Sequence, residues 1–120
     1  MNLLAVDPGD VREGLRDLAV ASGGKAHRTY AVLGDLPGSR DELMDLGRFL
    51  VRLDITSLVV VGHSGPVHAG AVLEGSWGEE SRHVADAEAA LTLLTADLHE
   101  DDAVLVSGLP AVLAALGGAA

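Results

Sequence analysis

Short runs of Val, Leu and Ala alternate along the chain with stretches whose apolar positions recur at helical spacing. Four of these runs end at a glycine or an aspartate. The sharpest is Tyr30-Ala31-Val32-Leu33-Gly34-Asp35, which leads into a helical pattern from Asp41 to Leu53. Continuous apolar strands are what a parallel sheet covered on both faces requires, because each strand is buried above and below. The pattern predicts an α/β, three-layer, Rossmann-like domain with a mostly parallel sheet of about five or six strands flanked by helices.

Leu3 to Val6 reads as the first strand, closed by Asp7-Pro8-Gly9-Asp10. Asp10 is the expected N-cap of a helix carrying Val11, Leu15, Leu18 and Ala19 on one face, and Ser22-Gly23-Gly24 ends it. Thr29 to Leu33 is the second strand. Ser39 precedes Glu42 at capping-box spacing, and the helix that follows buries Leu43, Leu46, Phe49, Leu50 and Leu53. Ser57 to Val61 is the third strand. It leaves through Gly62-His63-Ser64-Gly65-Pro66, and Pro66 suits the first turn of a short helix because its missing N–H costs nothing there. After a glycine-containing loop from Glu74 to Glu80 come an edge strand (Ser81 to Val84), a helix with Ala87, Ala90, Leu91 and Leu94 inward, a last buried strand (Ala103 to Val106) and a final helix (Pro110 to Leu116). One domain over 1–116 is expected, with 117–120 as a flexible Gly/Ala tail.

Composition narrows the function. A formal net charge of -10 and 2% aromatic residues repel phosphate backbones and offer few rings for base stacking, so nucleic-acid binding is not expected. There is no cysteine, which removes disulfides, thiolate catalysis and cysteine zinc sites. Met1 to Asp7 is too short and lacks the basic flank of a secretion signal, and no apolar stretch approaches the roughly 20 residues that span a bilayer. A soluble cytoplasmic protein with no membrane contact is the expectation.

The polar residues with chemical potential gather at predicted strand ends. Asp7 and Asp35 lie just past the carboxyl ends of their strands, where open α/β sheets bind ligands, although Asp7 could equally cap a helix and Asp35 has an obvious local role in its Gly-Asp-x-Pro-Gly turn. His63 sits at a third strand end, with His68 five residues later. That pair lacks the one-turn spacing of helical metal ligands, so no metal site is assigned. Ser107 and Gly108 follow the last strand and could offer a hydroxyl and backbone N–H groups to an anion, or form only a tight turn. His27, His83 and His99 read as solvated, and Arg12, Arg16, Arg40, Arg48 and Arg52 as a solvated helix surface beside carboxylates. Trp77 reads as a loop anchor or a contact to a neighbouring domain.

The order of these pieces resembles the C-terminal domain of the Mur ligases. The resemblance is carried by Pro8 with Val11, Leu15 and Leu18; by Ala31-Val32-Leu33-Gly34-Asp35-Leu36; by Glu42-Leu43 with Leu46-Gly47-Arg48; by Ile55 to Gly62; by Asp86 to Leu94; and by Ala103 to Gly108. In that family a central domain cleaves ATP, an N-terminal domain holds a UDP-sugar peptide, and the C-terminal domain closes over ATP and positions the incoming amino acid or dipeptide. The resemblance implies ATP and Mg in the full-length enzyme, with none expected on this domain alone. It implies the N-terminal and central ATP-binding domains as partners, UDP-muramoyl peptide and D-alanyl-D-alanine as substrates, and an acyl phosphate attacked by the incoming amine. The chain has no Gly-x-x-x-x-Gly-Lys-Ser/Thr loop to cradle a triphosphate, so alone it should not catalyse ligation.

It departs from the family where polar chemistry is kept. The family's Asp-Ser-Tyr-Asn-Ala-Asn-Pro falls, without gaps, on Asn2 to Pro8 and leaves only Asp7 and Pro8 as equivalents; a deletion would instead make Asp7 the strand-end aspartate. Ser107-Gly108-Leu109-Pro110 replaces a lysine- and arginine-bearing segment, and neutral side chains do not substitute for those cations. Met44 stands where many relatives have histidine. Three readings follow: a substrate-closing ligase domain inactive alone, a non-catalytic pseudo-ligase interaction domain, and a small-ligand binder around Asp7, Asp35 and His63.

Overall fold

A computed structural model describes residues 2–21, 28–75 and 80–118. Strands and helices alternate along them: β1 (Asn2–Ala5), α1 (Val11–Ala21), β2 (Thr29–Leu33), α2 (Arg40–Arg52), β3 (Ser57–Val61), α3 (Gly65–Glu74), β4 (Ser81–Val84), α4 (Ala87–Asp97), β5 (Ala103–Ser107) and α5 (Pro110–Gly118). The five strands form one sheet in the order β1-β5-β2-β3-β4, and every pairing is parallel. This bears out the α/β expectation, with β4 on an edge as anticipated.

Strand alternation divides the core into two halves. Ala31, Leu33, Leu58, Val60 and Leu105 face α1, α2 and α3, whereas Tyr30, Val32, Val59, Val104 and Val106 face α4 and α5. The three layers follow from chain direction. Crossovers from β1 to β4 advance one way along the sheet, and the step from β4 to β5 returns, so right-handed connections place the later helices on the opposite face. Because α2 leaves β2 on one face and α5 leaves β5 on the other, a crevice opens at the carboxyl ends of the central strands.

Some boundaries move. β1 begins at Asn2 rather than Leu3, although Val6 N–H still donates to the Val106 carbonyl at 3.2 Å. β5 extends through Ser107 because Leu33 pairs with it, and α5 runs to Gly118. Asp10 is not an N-cap. Residues Pro8–Asp10 form a 3-10 turn continuous with α1, Asp7 holds the capping position, and the Asp10 N–H donates to the Asp7 carbonyl at 2.9 Å. Ser22-Gly23-Gly24, His27 and Trp77 lie outside the described residues.

The capping box forms as read. The Ser39 hydroxyl accepts the Glu42 N–H at 3.2 Å, and the Glu42 carboxylate accepts the Ser39 N–H at 3.1 Å. These bonds from Ser39, its backbone N–H first, hold the Glu42 carboxyl below its ordinary range. Ser39→Ala should lower unfolding stability by about 1 kcal/mol, read as a shift of the urea midpoint at unchanged slope.

Candidate functional site at the carboxyl edge of the sheet

Strand order places the residues read as candidates in one row. From β1 across to β3 they are Asp7, Ser107 with Gly108, Asp35 and His63. The row has two ends.

At the β1/β5 end, Asp7 is exposed with extended backbone, and its side chain makes no helix-capping bond. It lines a cavity of about 420 Å³ with Pro8, Val106, Gly108, Leu109 and Pro110. The lining is apolar apart from the Asp7 carboxylate and backbone groups, and it contains no cationic side chain. Ser107 is different. Its side chain is on the same face as Leu105, only 1% of the residue is exposed, and its Oγ has no hydrogen-bond partner among the described residues.

At the β2/β3 end the loops are stitched in both directions. Asp35 Oδ1 accepts the His63 backbone N–H at 3.3 Å, while the buried Ser64 hydroxyl accepts the Leu36 N–H at 3.0 Å. His83 of β4 extends the stitch by sharing a 2.7 Å bond between its Nε2 and the Gly62 carbonyl. A carbonyl can only accept, so His83 carries its proton on Nε2. His83, expected to be simply solvated, thus has a structural partner. His63 and His83 border a shallow cleft with Val84 and Ala85.

The two ends meet at glycines. Gly108 has φ +72°, a conformation that side chains strain to adopt, and a Cβ there would come within 2.9 Å of the Asp35 carbonyl. A Cβ on Gly34 would lie 2.7 Å from Leu109 Cγ and would overlap the Gly108 carbonyl. Gly34 and Gly108 therefore bring the ends of β2 and β5 into backbone contact. The structure joins Asp7 to Gly108 through the cavity, Gly108 to Asp35 through this contact, and Asp35 to His63 through a hydrogen bond.

His68 is not brought to His63. Its Nδ1 shares a 2.6 Å hydrogen bond with Ser81 Oγ, and its ring centroid lies 6.4 Å from that of His83. Burial, followed by the nearby His83, pushes the His68 pKa down, so the ring favours its neutral form. Among the described residues no group of three or more His, Asp or Glu could hold a metal ion.

Residue-by-residue reading missed Ser64 and His83. The one available signal for Ser64 was its place in Gly62-His63-Ser64-Gly65-Pro66, a loop too short to leave a hydroxyl unsatisfied once buried.

No family model matches the chain. It is 43% identical over 117 residues to the UDP-N-acetylmuramoyl-tripeptide–D-alanyl-D-alanine ligase of Mycobacterium leprae, an alignment covering 83% of this chain and 23% of that relative. It is 39% identical over 135 residues to the ligases of the same name from Mycobacterium bovis and Mycobacterium tuberculosis, covering 92% of this chain and 26% of each. The chain thus spans about a quarter of the length of the relatives it matches. With the parallel sheet and this similarity in agreement, the chain is a domain like the C-terminal domain of these Mur ligases.

Proposed function

We propose that this chain is the substrate-closing domain of an ATP-dependent peptide ligase of peptidoglycan precursor synthesis, inactive alone and completed by N-terminal and central ATP-binding domains. The observation that carries the reading is the 39% to 43% identity to ligases of that name over most of this chain but only a quarter of theirs. The substrates on this reading are a UDP-muramoyl peptide and D-alanyl-D-alanine, with ATP and Mg held mainly by the central domain, in the cytoplasm. No helix among the described residues is long and apolar enough to cross a membrane.

The strand-end chemistry fits part of a nucleotide and not the rest. The 420 Å³ cavity offers apolar walls from Val106, Leu109 and Pro110 and one carboxylate from Asp7, which suits a ring and a hydroxyl donor. It offers no cation to a triphosphate, whose charge must then be met by another domain. ATP would supply the driving force for amide formation. This chain's own contribution is to orient: the free Asp7 carboxylate would accept a hydrogen bond from the bound group, the Gly34–Gly108 contact fixes the crevice, and the Asp35–His63 stitch holds the adjoining ledge. Closure of that ledge over a reacting centre would exclude water.

The reading expects the isolated chain to release no phosphate from ATP above background when supplied with both substrates. Efficient nucleotide hydrolysis by the isolated chain would remove it.

A further inference from the structure

Arg12 and Arg16 stand one turn apart on α1, and both guanidinium groups lie over the ring of Phe49 on α2, at 5.0 Å and 5.3 Å from its centroid. In a chain of net charge -10 this is an unusual use of two cations. Carboxylates are plentiful, and neighbouring Arg48 and Arg52 have found them, at 3.7 Å from Asp45 and 3.1 Å from Glu74. Arg12 and Arg16 make no such pair among the described residues. The sequence places them on a solvated face beside carboxylates; both are exposed as expected, but each guanidinium lies over an aromatic ring rather than against a carboxylate.

Stacking spends the flat face of a guanidinium and leaves the N–H donors at its edge unused. It also removes rotamer freedom in advance, so an anion arriving at that edge loses less entropy in ordering the site. Two fixed positive groups sharing one ring repel each other until an anion bridges them. Arg12 also borders a groove of about 250 Å³ with Pro8, Gly9, Leu36 and Pro37. The two carboxylates on that groove are already engaged, Glu42 in the Ser39 cap and Asp45 with Arg48. The groove abuts the strand-end row, since Pro8 follows Asp7 and Leu36 follows Asp35.

The geometry points to an oxyanion-binding site in which Arg12 and Arg16, held over Phe49, take the carboxylate or phosphate group of a small molecule whose body lies in the adjoining groove. The inference goes beyond the ligase reading and does not rest on it, because binding is measured on this chain without turnover.

The test follows the Arg12 and Arg16 Nε–H resonances of the 120-residue chain during titration with sodium phosphate and, separately, sodium acetate, each against sodium chloride at matched ionic strength. Both signals should move saturably with at least one oxyanion beyond the chloride response, and the anion that saturates at lower concentration identifies the group recognised. The double variant Arg12→Gln/Arg16→Gln should bind about tenfold more weakly or worse, because charge-assisted hydrogen bonds are lost. Phe49→Leu keeps an apolar side chain but removes the ring face, and should weaken binding several-fold while far-UV circular dichroism stays unchanged. Failure of both oxyanions to exceed chloride would overturn the site, as would wild-type affinity in the double variant. Wild-type affinity in a folded Phe49→Leu chain would overturn the role of the ring.

Discussion

Replacing Gly70 with alanine is expected to destabilise the protein by about 3 kcal/mol or more, the range seen when core backbone must move to admit new atoms. Helices α2 and α3 meet backbone to backbone. A Cβ on Gly70 would overlap the Met44 carbonyl, and a Cβ on Gly47 would overlap the Val67 carbonyl and lie 2.7 Å from the Ala71 nitrogen. Neither obstacle is a side chain that could rotate away. The sign is diagnostic, because in a helix without this contact the same substitution would stabilise by roughly 1 kcal/mol through propensity alone. Gly47→Ala should cost a similar amount. The double variant should cost less than the sum, since separating the helices for one methyl makes room for the other. Chemical denaturation of the three variants reads all of this; a neutral or stabilising Gly70→Ala would contradict the packing described. The same contact matters for the site, because α2 follows the Asp35 loop and α3 follows the His63 turn.

Asp102→Ala should cost about 1.5 to 3 kcal/mol and lower the melting temperature by roughly 10 °C, because it removes charge-assisted hydrogen bonds from Arg28, whose side chain is 40% exposed, and leaves the His99 N–H without its acceptor. Asp102 is 2% exposed and accepts from Arg28 Nε at 3.2 Å, from Arg28 Nη2 at 2.7 Å and from the His99 backbone N–H at 2.8 Å. Arg28 Nη2 also donates to the Asp97 carbonyl at 2.7 Å, and the Tyr30 hydroxyl donates to Asp97 Oδ2 at 3.1 Å. The network ties the starts of β2 and β5 to the end of α4. Burial alone would push the Asp102 carboxyl up; the bonds from Arg28 and His99 outweigh it and hold the pKa below the usual range. A carboxyl depressed on folding stabilises above its unfolded pKa of about 3.9 and loses that contribution as pH falls through the folded value. The gap between wild type and Asp102→Ala should therefore be constant near neutrality and shrink below about pH 4. Denaturant midpoints across that range test it, and a gap that widened in acid would contradict the assignment. The network lies at the opposite sheet edge from the strand-end row, so this variant should leave that row intact.

The layered fold was legible because apolar runs such as Leu58-Val59-Val60-Val61 are continuous, and only strands buried on both faces read that way. The cap of α2 was equally local, since Ser39 reaches Glu42 within three residues. What escaped depends on strand order. Arg28 and Asp102 are 74 residues apart and meet only because β5 inserts between β1 and β2, which periodicity does not encode. Gly47 and Gly70 sit in helical patterns that give no hint of a facing backbone, and Arg12 and Arg16 showed charge without showing the ring beneath them. The strand ends announced where Asp7, Asp35 and His63 would stand. They did not announce that Ser64 and His83 would hold that ledge in place.

The most direct test of the account grafts this chain in place of the matching region of the Mycobacterium tuberculosis relative and measures phosphate release with ATP, Mg, UDP-muramoyl tripeptide and D-alanyl-D-alanine. The account predicts dipeptide-dependent turnover by the chimera and none by this chain or by the truncated relative separately. A folded chimera that binds nucleotide yet shows no dipeptide-dependent turnover would contradict it.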